Sequence, residues 1–467
     1  MSRVVVVGAG VGGLAAAVRC AEAGHQVRVL EAARAAGGKA GVLERDGFTW
    51  DTGPSLVTMP WVFTDLLGDA VELVRVEPLT RYRFADGSSV DLSADLPRAI
   101  DSLEAWSPGA GHDWAAYLGA CAQMWRASLP VLTGPPPWPP TRDAARPDPR
   151  ALLAVKPWHT LRTLARSHAR DPRLRLIIER AATYAGADPR RAPAALALAG
   201  YVEHAFGGWH VRGGIHAIVR ALMARLDEAG GSVEFDTRVE GLIRGERYAT
   251  GVRTAAGDEV PGDWVLWNGD AAALEPDARA AGAERSLSGY VLMLGVRGRT
   301  PDLTHHTILF PGDYTAEFDD VFVRRRAVRE PTLYLSVSSH TDPTQAPPDC
   351  ENWFVLANAP AGVADSVFDG YDDVILERLD RCGIDPSGRI EVRARRTPGD
   401  LERETGAVGG AIYGAAPHGR LGTLRRPGPR VRGLPNVLRV GGTAHPGGGL
   451  PLVALSGAMA ARIVGPA

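Results

Sequence analysis

Apolar and polar positions change period several times along the chain. Val4-Val5-Val6-Val7 is a short continuous apolar run ending in glycines, followed by an alanine-rich stretch of helical character and a second apolar segment, Val27-Arg28-Val29-Leu30. A run of this length bounded by a turn predicts a buried strand, so the first fifty residues read as strand, turn, helix, strand. From Gly213-Gly214 the spacing of Ile215, Val219, Leu222 and Leu226 predicts a helix reaching Gly230-Gly231. Strands are predicted next at Ser232 to Phe235, Val239 to Ile243, Thr250 to Thr254 and Trp264 to Asn268. A last strand, Val437 to Val440, and a helix from about Leu452 to Val464 close the chain. Residues from about 100 to 205 carry helical periodicity, broken by Gly134-Pro135-Pro136-Pro137-Trp138-Pro139-Pro140, which cannot be helix and reads as a stiff surface connection or lid edge. Residues from about 285 to 430 alternate with period two, at Tyr290 to Val296, Thr307 to Phe310, Thr332 to Ser338 and Trp353 to Ala357, and predict an antiparallel sheet. The class is α/β, with the first, central and last pieces sharing one parallel sheet.

The turn after the first strand carries chemistry. Gly8-Ala9-Gly10-Val11-Gly12-Gly13 places glycine where a strand must turn sharply, where backbone must approach a pyrophosphate, and where helix and strand pack closely. Glu31, closing the second strand, suits the hydroxyl pair of a ribose and repels a 2′-phosphate, which favours FAD or NAD over NADP. Gly37-Gly38-Lys39 follows, then Gly53-Pro54-Ser55, a second close backbone approach that points to a long, buried cofactor. Lys39 is one of only two lysines among the 52 Lys and Arg residues; it reads either as a cation beside the phosphates or as a solvated loop lysine.

At 467 residues the chain accommodates two or three domains around a substantial core. A formal net charge of −2 gives no electrostatic footprint for nucleic acid. The four cysteines, Cys20, Cys121, Cys350 and Cys382, lack metal or redox spacing and read as thiols of a reducing compartment. The apolar run before Gly8 is too short for a signal peptide core, and no stretch reaches the length of a membrane-spanning helix, so a cytoplasmic location is expected. His305 and His306 alternate faces in a strand-like segment, which leaves no shared metal site; no metal is expected. Nucleophile motifs of the Gly-x-Ser-x-Gly type are missing, which leaves the chemistry to a cofactor.

With these motifs in hand, the chain resembles the FAD-dependent carotenoid desaturases of the bacterial phytoene desaturase type, within the amine-oxidase-like flavoprotein superfamily. The resemblance rests on the fingerprint with Glu31 and Gly37-Gly38, on Phe48 to Pro60, on Gly207 to Gly214, on His305-His306-Thr307, on Asp342-Pro343 with Ala346-Pro347-Pro348, and on Gly441-Gly442-Thr443-Ala444-His445-Pro446-Gly447-Gly448-Gly449-Leu450-Pro451. Ala36 stands where the family usually has proline, and the ending Val453-Ala454-Leu455-Ser456-Gly457 looks more like the desaturases of hydroxylated carotenoids. The resemblance implies a Rossmann-type FAD-binding domain assembled from residues 1–75, 210–280 and 435–467. It further implies a substrate-binding sheet domain from 76–100 and 285–430, and a helical lid or membrane-facing insertion from 101–205.

Non-covalent FAD would be held by Gly8, Gly10, Gly12, Gly13, Glu31, Gly37, Gly38, Lys39, Gly53, Pro54, Ser55, Val239, Gly441, Gly442, Gly449, Leu450 and Pro451. Met59, Trp61, Tyr201, Phe206 and Trp209 are candidate apolar liners of a substrate tunnel. His445 is a candidate proton acceptor, with a turn histidine bonded to backbone as the alternative. The implied reaction is hydride transfer from an allylic C–H of a lipophilic polyene. Alternatives are an oxidase of an amine or natural-product intermediate, a reduced-flavin carotenoid cis-trans isomerase, and a non-enzymatic escort of prenylated GTPases. A polyene substrate calls for a membrane surface: with Pro157 in the first turn, Arg162, Arg166 and Arg170 form one helix face, and Trp158, Leu161 and Ala165 another, as in an interfacial helix. No oligomeric state is indicated.

Overall fold

The computed structural model describes residues 1–136, 153–274, 283–420 and 422–467; Pro137 to Pro140 of the proline run lie outside them. A six-stranded sheet is ordered Arg430–Val431, Leu434–Arg439, Trp264–Trp267, Arg3–Val7, Gln26–Leu30, Ser232–Glu234, and is parallel except for the first, edge pair. Val4, Val5 and Val6 are buried on both faces, as a central parallel strand requires. Helices Val11–Glu22 and Leu450–Val464 pack together on one side of it, with His216–Glu228 beside them. A small antiparallel sheet, Val239–Arg244, Ala249–Thr254 and Glu259–Pro261, covers the other side, where Val239 packs against the cluster of Val5, Val7 and Leu30.

The second sheet has seven strands, in the order Ile390–Arg396, Ser288–Arg297, Cys350–Ala359, Leu333–Val337, His306–Leu309, Thr80–Arg83, Ser89–Leu92. Its pairs are antiparallel save one, His306–Leu309 with Thr80–Arg83, because the latter arrives from much earlier in the chain. Side chains along Ser288–Arg297 alternate between two cores. Tyr290, Leu292, Leu294 and Val296 meet Phe368, Tyr371 and Ile375, while Val291 and Met293 meet Phe48 and Trp50. Burial on both faces turns an alternating pattern into an almost wholly buried strand.

Phe48–Asp51 ties the two sheets together. Phe48 and Trp50 stack under the seven-stranded sheet, and Asn352 donates from Nδ2 to the Thr49 carbonyl at 2.6 Å. The next side chain, Asp51, accepts the backbone N–H of Ile215 at 2.9 Å and of His216 at 3.3 Å at the start of helix His216–Glu228. Burial pushes its carboxyl up to about 6 against those two hydrogen bonds.

Helices Leu96–Trp106, Ala110–Thr133, Leu161–His168, Pro172–Glu179 and Ala197–Phe206 make up the insertion. Here one expectation fails. The helix carrying the arginine stripe starts at Leu161, capped by Thr160, so Pro157 is outside it and Arg170 lies past its end. Arg162 donates to Glu179 at 2.8 Å and Arg170 to Asp113 at 3.1 Å, so these two guanidinium groups are tied to other helices and do not form a free basic face. Among the described residues no helix is long and apolar enough to cross a membrane.

Candidate active site

The glycine turn is shaped by what lies against it. Gly8 has φ +96° and donates its N–H to the Leu30 carbonyl at 2.8 Å. A Cβ on Gly13 would sit 2.3 Å from the Gly8 carbonyl oxygen, so helix and strand meet at a distance only glycine permits. Gly10 is the N-cap of Val11–Glu22 and brings no side-chain acceptor, which leaves the first N–H groups of that helix open to an anion. Glu31 is buried; its Oε2 accepts the Ala9 N–H at 2.6 Å and its Oε1 the Ala33 N–H at 2.9 Å, so each oxygen keeps a further lone pair. The chain before Val239 is tied to the same place, Thr237 donating to the Glu31 carbonyl at 2.8 Å.

Gly37 donates to the Ala9 carbonyl at 2.9 Å, bringing Gly37 and Gly38 beside Gly10. Lys39 is half-buried, and its Nζ donates to the Ala411 and Ile412 carbonyls at 3.3 and 2.7 Å. Burial lowers its pKa to about 8, Asp270 opposing and Arg396 and Arg426 adding to the effect. A Cβ on Gly53 would fall 1.9 Å from the Lys39 carbonyl oxygen, so Gly53-Pro54-Ser55 runs directly against this loop. The terminal block closes on the same turn, since a Cβ on Gly12 would lie 3.1 Å from Gly441 Cα.

Asn268 joins these pieces and was not among the expected residues. Its Nδ2 donates to the Gly8 carbonyl at 3.1 Å, and its side chain is what a Cβ on Gly10, Gly13 or Gly441 would strike. Its signal is a polar residue ending the buried strand Trp264–Trp267 beside the glycine turn, visible only once that strand is paired with Arg3–Val7.

A cavity of about 640 Å³ opens where the two sheets and the helices meet. Gly53-Pro54-Ser55, Met59 and the run His445 to Leu452 form part of its wall, bringing Gly449, Leu450 and Pro451 together with the earlier loop. Of the expected liners Met59 alone reaches the wall. Trp61 and Phe206 meet edge to face at 4.6 Å, Phe206 and Tyr201 pack on Trp125, and it is Trp125 that faces the cavity. Trp209 fastens the wall from behind, its carbonyl accepting the Val57 N–H at 2.8 Å.

His445 is buried, with Nε2 2.9 Å from the Val131 carbonyl and 3.1 Å from that of Gly134. Carbonyls only accept, so Nε2 carries hydrogen and is committed to backbone, which leaves Nδ1 as the acceptor of the neutral ring. Burial lowers its pKa, and those carbonyls oppose that. Arg180, Tyr184, Glu203, His306, Tyr314 and Tyr334 form a polar stretch of wall that sequence reading missed. Glu203 and His204 had a weak signal as ionisable residues inside the apolar helix Ala197–Phe206.

The chain matches the family of flavin-containing amine oxidoreductases over residues 11–293. It is 34% identical to a hydroxyneurosporene desaturase of Rubrivivax gelatinosus, with 98% of this chain and 92% of that one covered. A 4,4'-diapolycopene oxygenase of a Methylomonas species is 32% identical, over 97% of this chain and 96% of the relative. Among solved structures, an oxidoreductase from Methanosarcina mazei shares the fold with a TM-score of 0.66 at 19% identity, covering 98% of this chain and 99% of the other. The chain therefore belongs to the flavin-containing amine oxidoreductase family, as a flavin-dependent oxidoreductase of its carotenoid desaturase branch.

Proposed function

We propose that this protein is an FAD-dependent desaturase of a carotenoid or related polyisoprenoid. The observation that carries the reading is the cavity: about 640 Å³, walled mainly by apolar side chains, and bounded by the glycine-rich block that the glycine turn and Asn268 hold in place. The residues fit the cofactor. The Gly8–Gly13 turn and the uncapped start of helix Val11–Glu22 would take the pyrophosphate, and the spare lone pairs of Glu31 the ribose hydroxyls, with Val239 nearby. Gly37, Gly38, Lys39, Gly53 to Ser55, Gly441, Gly442 and Gly449 to Pro451 would hold the rest of the molecule. None of the described cysteines lies on the cavity wall, which supports non-covalent binding. In this reading the nucleotide-binding unit is 1–75, 210–280 and 435–467, the substrate unit 76–100 and 285–430, and 101–205 the lid.

When bound, the flavin supplies a two-electron acceptor for hydride from an allylic C–H bond. The chain's own part is alignment and exclusion of water. Met59, Trp125, Leu198 and Val202 give a polyene an apolar wall, while helix Leu450–Val464, capped by Gly449 without a side-chain acceptor, presents its positive end to the cavity. His445 holds the glycine block against helix Ala110–Thr133 and serves as a positioning residue.

A lipophilic substrate is collected at a cytoplasmic membrane surface through the cavity rim in this proposal. Leu153, Trp158 and Leu424 are 59%, 50% and 37% exposed, and Val155, Pro157 and Leu424 belong to the wall. The test of the reaction is anaerobic incubation of FAD-loaded protein with phytoene, lycopene and a 1-hydroxycarotenoid. Bleaching of the oxidised flavin and a product lighter by a pair of hydrogens is expected. Failure of all three, or bleaching with no product lighter by a pair of hydrogens, would overturn the reading.

A further inference from the structure

Helix Ala197–Phe206 turns one stripe toward the cavity: Leu198, Ala199, Val202 and Glu203, spaced as a single helix face, all belong to its wall. Three of the four are apolar. Glu203 is 9% exposed and is the one carboxylate among the described residues of that wall. Burial pushes its carboxyl up to about 7, against the Arg180 guanidinium and the Tyr184 hydroxyl, both of the short helix Arg180–Ala185. Near neutral pH it therefore both takes and gives up a proton, which is the condition a general base must meet.

Two other groups of the wall hold a lone pair able to accept a proton. His306 Nδ1 lies 3.2 Å from the Leu79 carbonyl and so carries hydrogen, which leaves Nε2 as acceptor; His445 has its acceptor at Nδ1. Either imidazole becomes a cation on accepting a proton, in an apolar wall that already holds the charges of Arg180 and Arg426. Burial lowers both, His306 to about 3. A carboxylate that accepts a proton becomes neutral, so the same burial that penalises the imidazoles favours Glu203.

Resting on the polyene reading above, we propose that Glu203 is the proton acceptor of the desaturation. Two C–H bonds break. Hydride leaves the first carbon for the flavin with both electrons of its bond. At the adjacent carbon the C–H electron pair becomes the second bond of the new C=C, and the proton passes to a Glu203 carboxylate oxygen. The carbon chain becomes positive as hydride leaves, and an ionised carboxylate on an apolar wall stabilises that charge. The groups facing Glu203 leave its titration legible. Arg180 keeps its charge. Burial pushes up Tyr82 on Thr80–Arg83, Tyr117 on Ala110–Thr133, Tyr184, Tyr314 and Tyr334, and lowers His204 on its own helix to about 4. Around neutral pH, among these, Glu203 alone changes charge.

The experiment follows bleaching of the anaerobic FAD-loaded protein by rapid mixing with phytoene, lycopene and a 1-hydroxycarotenoid across pH. In wild type the rate should rise with pH through about 7, as the carboxyl ionises. Glu203→Gln should cut the rate by about 100-fold to 10,000-fold and abolish that rise, while polyene binding, read by quenching of tryptophan fluorescence, is retained. Glu203→Asp should restore part of the rate with a moved inflection. In the infrared difference between wild type and Glu203→Gln, a protonated-carboxyl band should fade through the same pH; a band that does not titrate there overturns the proposal. A mere counter-charge for Arg180 would cost Glu203→Gln thermal stability and leave rate and pH profile as they were, which overturns it too, as does loss of bleaching in His306→Phe with Glu203→Gln unaffected. If Glu203→Gln does not retain FAD, Glu203→Asp decides: an inflection that moves supports the assignment and one that stays overturns it. Wild type that no polyene bleaches overturns the polyene reading and this proposal with it, whereas equal bleaching of wild type and Glu203→Gln overturns the proposal alone.

Discussion

Replacing Glu31 by glutamine separates what this residue does for the fold from what it would do for the cofactor. The carboxylate accepts two backbone N–H groups, from Ala9 at 2.6 Å and Ala33 at 2.9 Å. An amide retains one acceptor oxygen. It will settle on the Ala9 N–H, because Ala9 is wholly buried and its N–H has no other recourse, and the NH2 will face Ala33, where water can intervene. The fold then loses about 1 kcal/mol, one hydrogen bond's net worth. The cofactor loses more, since ribose hydroxyls that would have donated to a carboxylate now meet a neutral amide with one hydrogen-bonding edge reversed. Loss of such a charge-assisted bond is worth about 1.5–3 kcal/mol, a rise of roughly tenfold to 150-fold in the FAD dissociation constant. Titration of flavin-free protein with FAD, followed by flavin fluorescence, reads this directly, and a melting curve without FAD reads the small structural part. An unchanged dissociation constant would refute the ribose assignment. A collapse of the flavin-free fold would refute the claim that glutamine keeps the Ala9 bond.

Gly13→Ala forces a methyl to within 2.3 Å of the Gly8 oxygen, so about 1–3 kcal/mol of stability and most bound flavin should be lost, measured as flavin per protein after purification. Glu351 is buried; burial alone would raise its pKa, but bonds from His340, the Thr300 N–H and Trp353 prevail and hold it at about 2, below its ordinary 4.5. Its lowered value means its stabilisation is complete above pH 4.5 and is lost as pH falls through about 2, so Glu351→Gln should flatten acid unfolding in that window while lowering stability at neutral pH. At a membrane, Leu153, Trp158 and Leu424 changed together to serine should reduce pelleting with anionic liposomes. Changing Arg162 and Arg170 to glutamine should instead lower thermal stability, because Glu179 and Asp113 lose their partners.

Local signals were legible in the sequence. The turn at Gly8, the helix after it and Glu31 at the end of the next strand lie within a few residues of one another, and each has a steric or electrostatic reason that needs no tertiary context. Strands such as Trp264–Trp267 and Leu333–Val337 fall close to their expected bounds, the first as a short unbroken apolar run and the second as a β-rich segment. The terminal helix begins at Leu450 rather than Leu452, since Pro451 fits a first turn whose N–H groups have no partner anyway. Parallel pairing of Thr80–Arg83 with His306–Leu309 joins segments far apart in the chain, and nothing local in either announces it.

The arginines of the insertion show why the rest was hidden. Spacing of four puts Arg162 and Arg166 on one face of a helix, but whether that face meets water depends on Glu179, seventeen positions on, which is buried and must have a cation. A pattern within one helix cannot reveal a carboxylate on another. The cavity wall is the same problem at larger scale, because Arg180, Glu203, His306 and Tyr314 come from four separate elements that no local pattern connects. Taken singly, each is a defect in an apolar pattern, costing free energy for no local return. Brought to one wall, Arg180 stands against Tyr184, Tyr334 and the Glu203 carboxylate, and each group offsets part of the cost of burying the others.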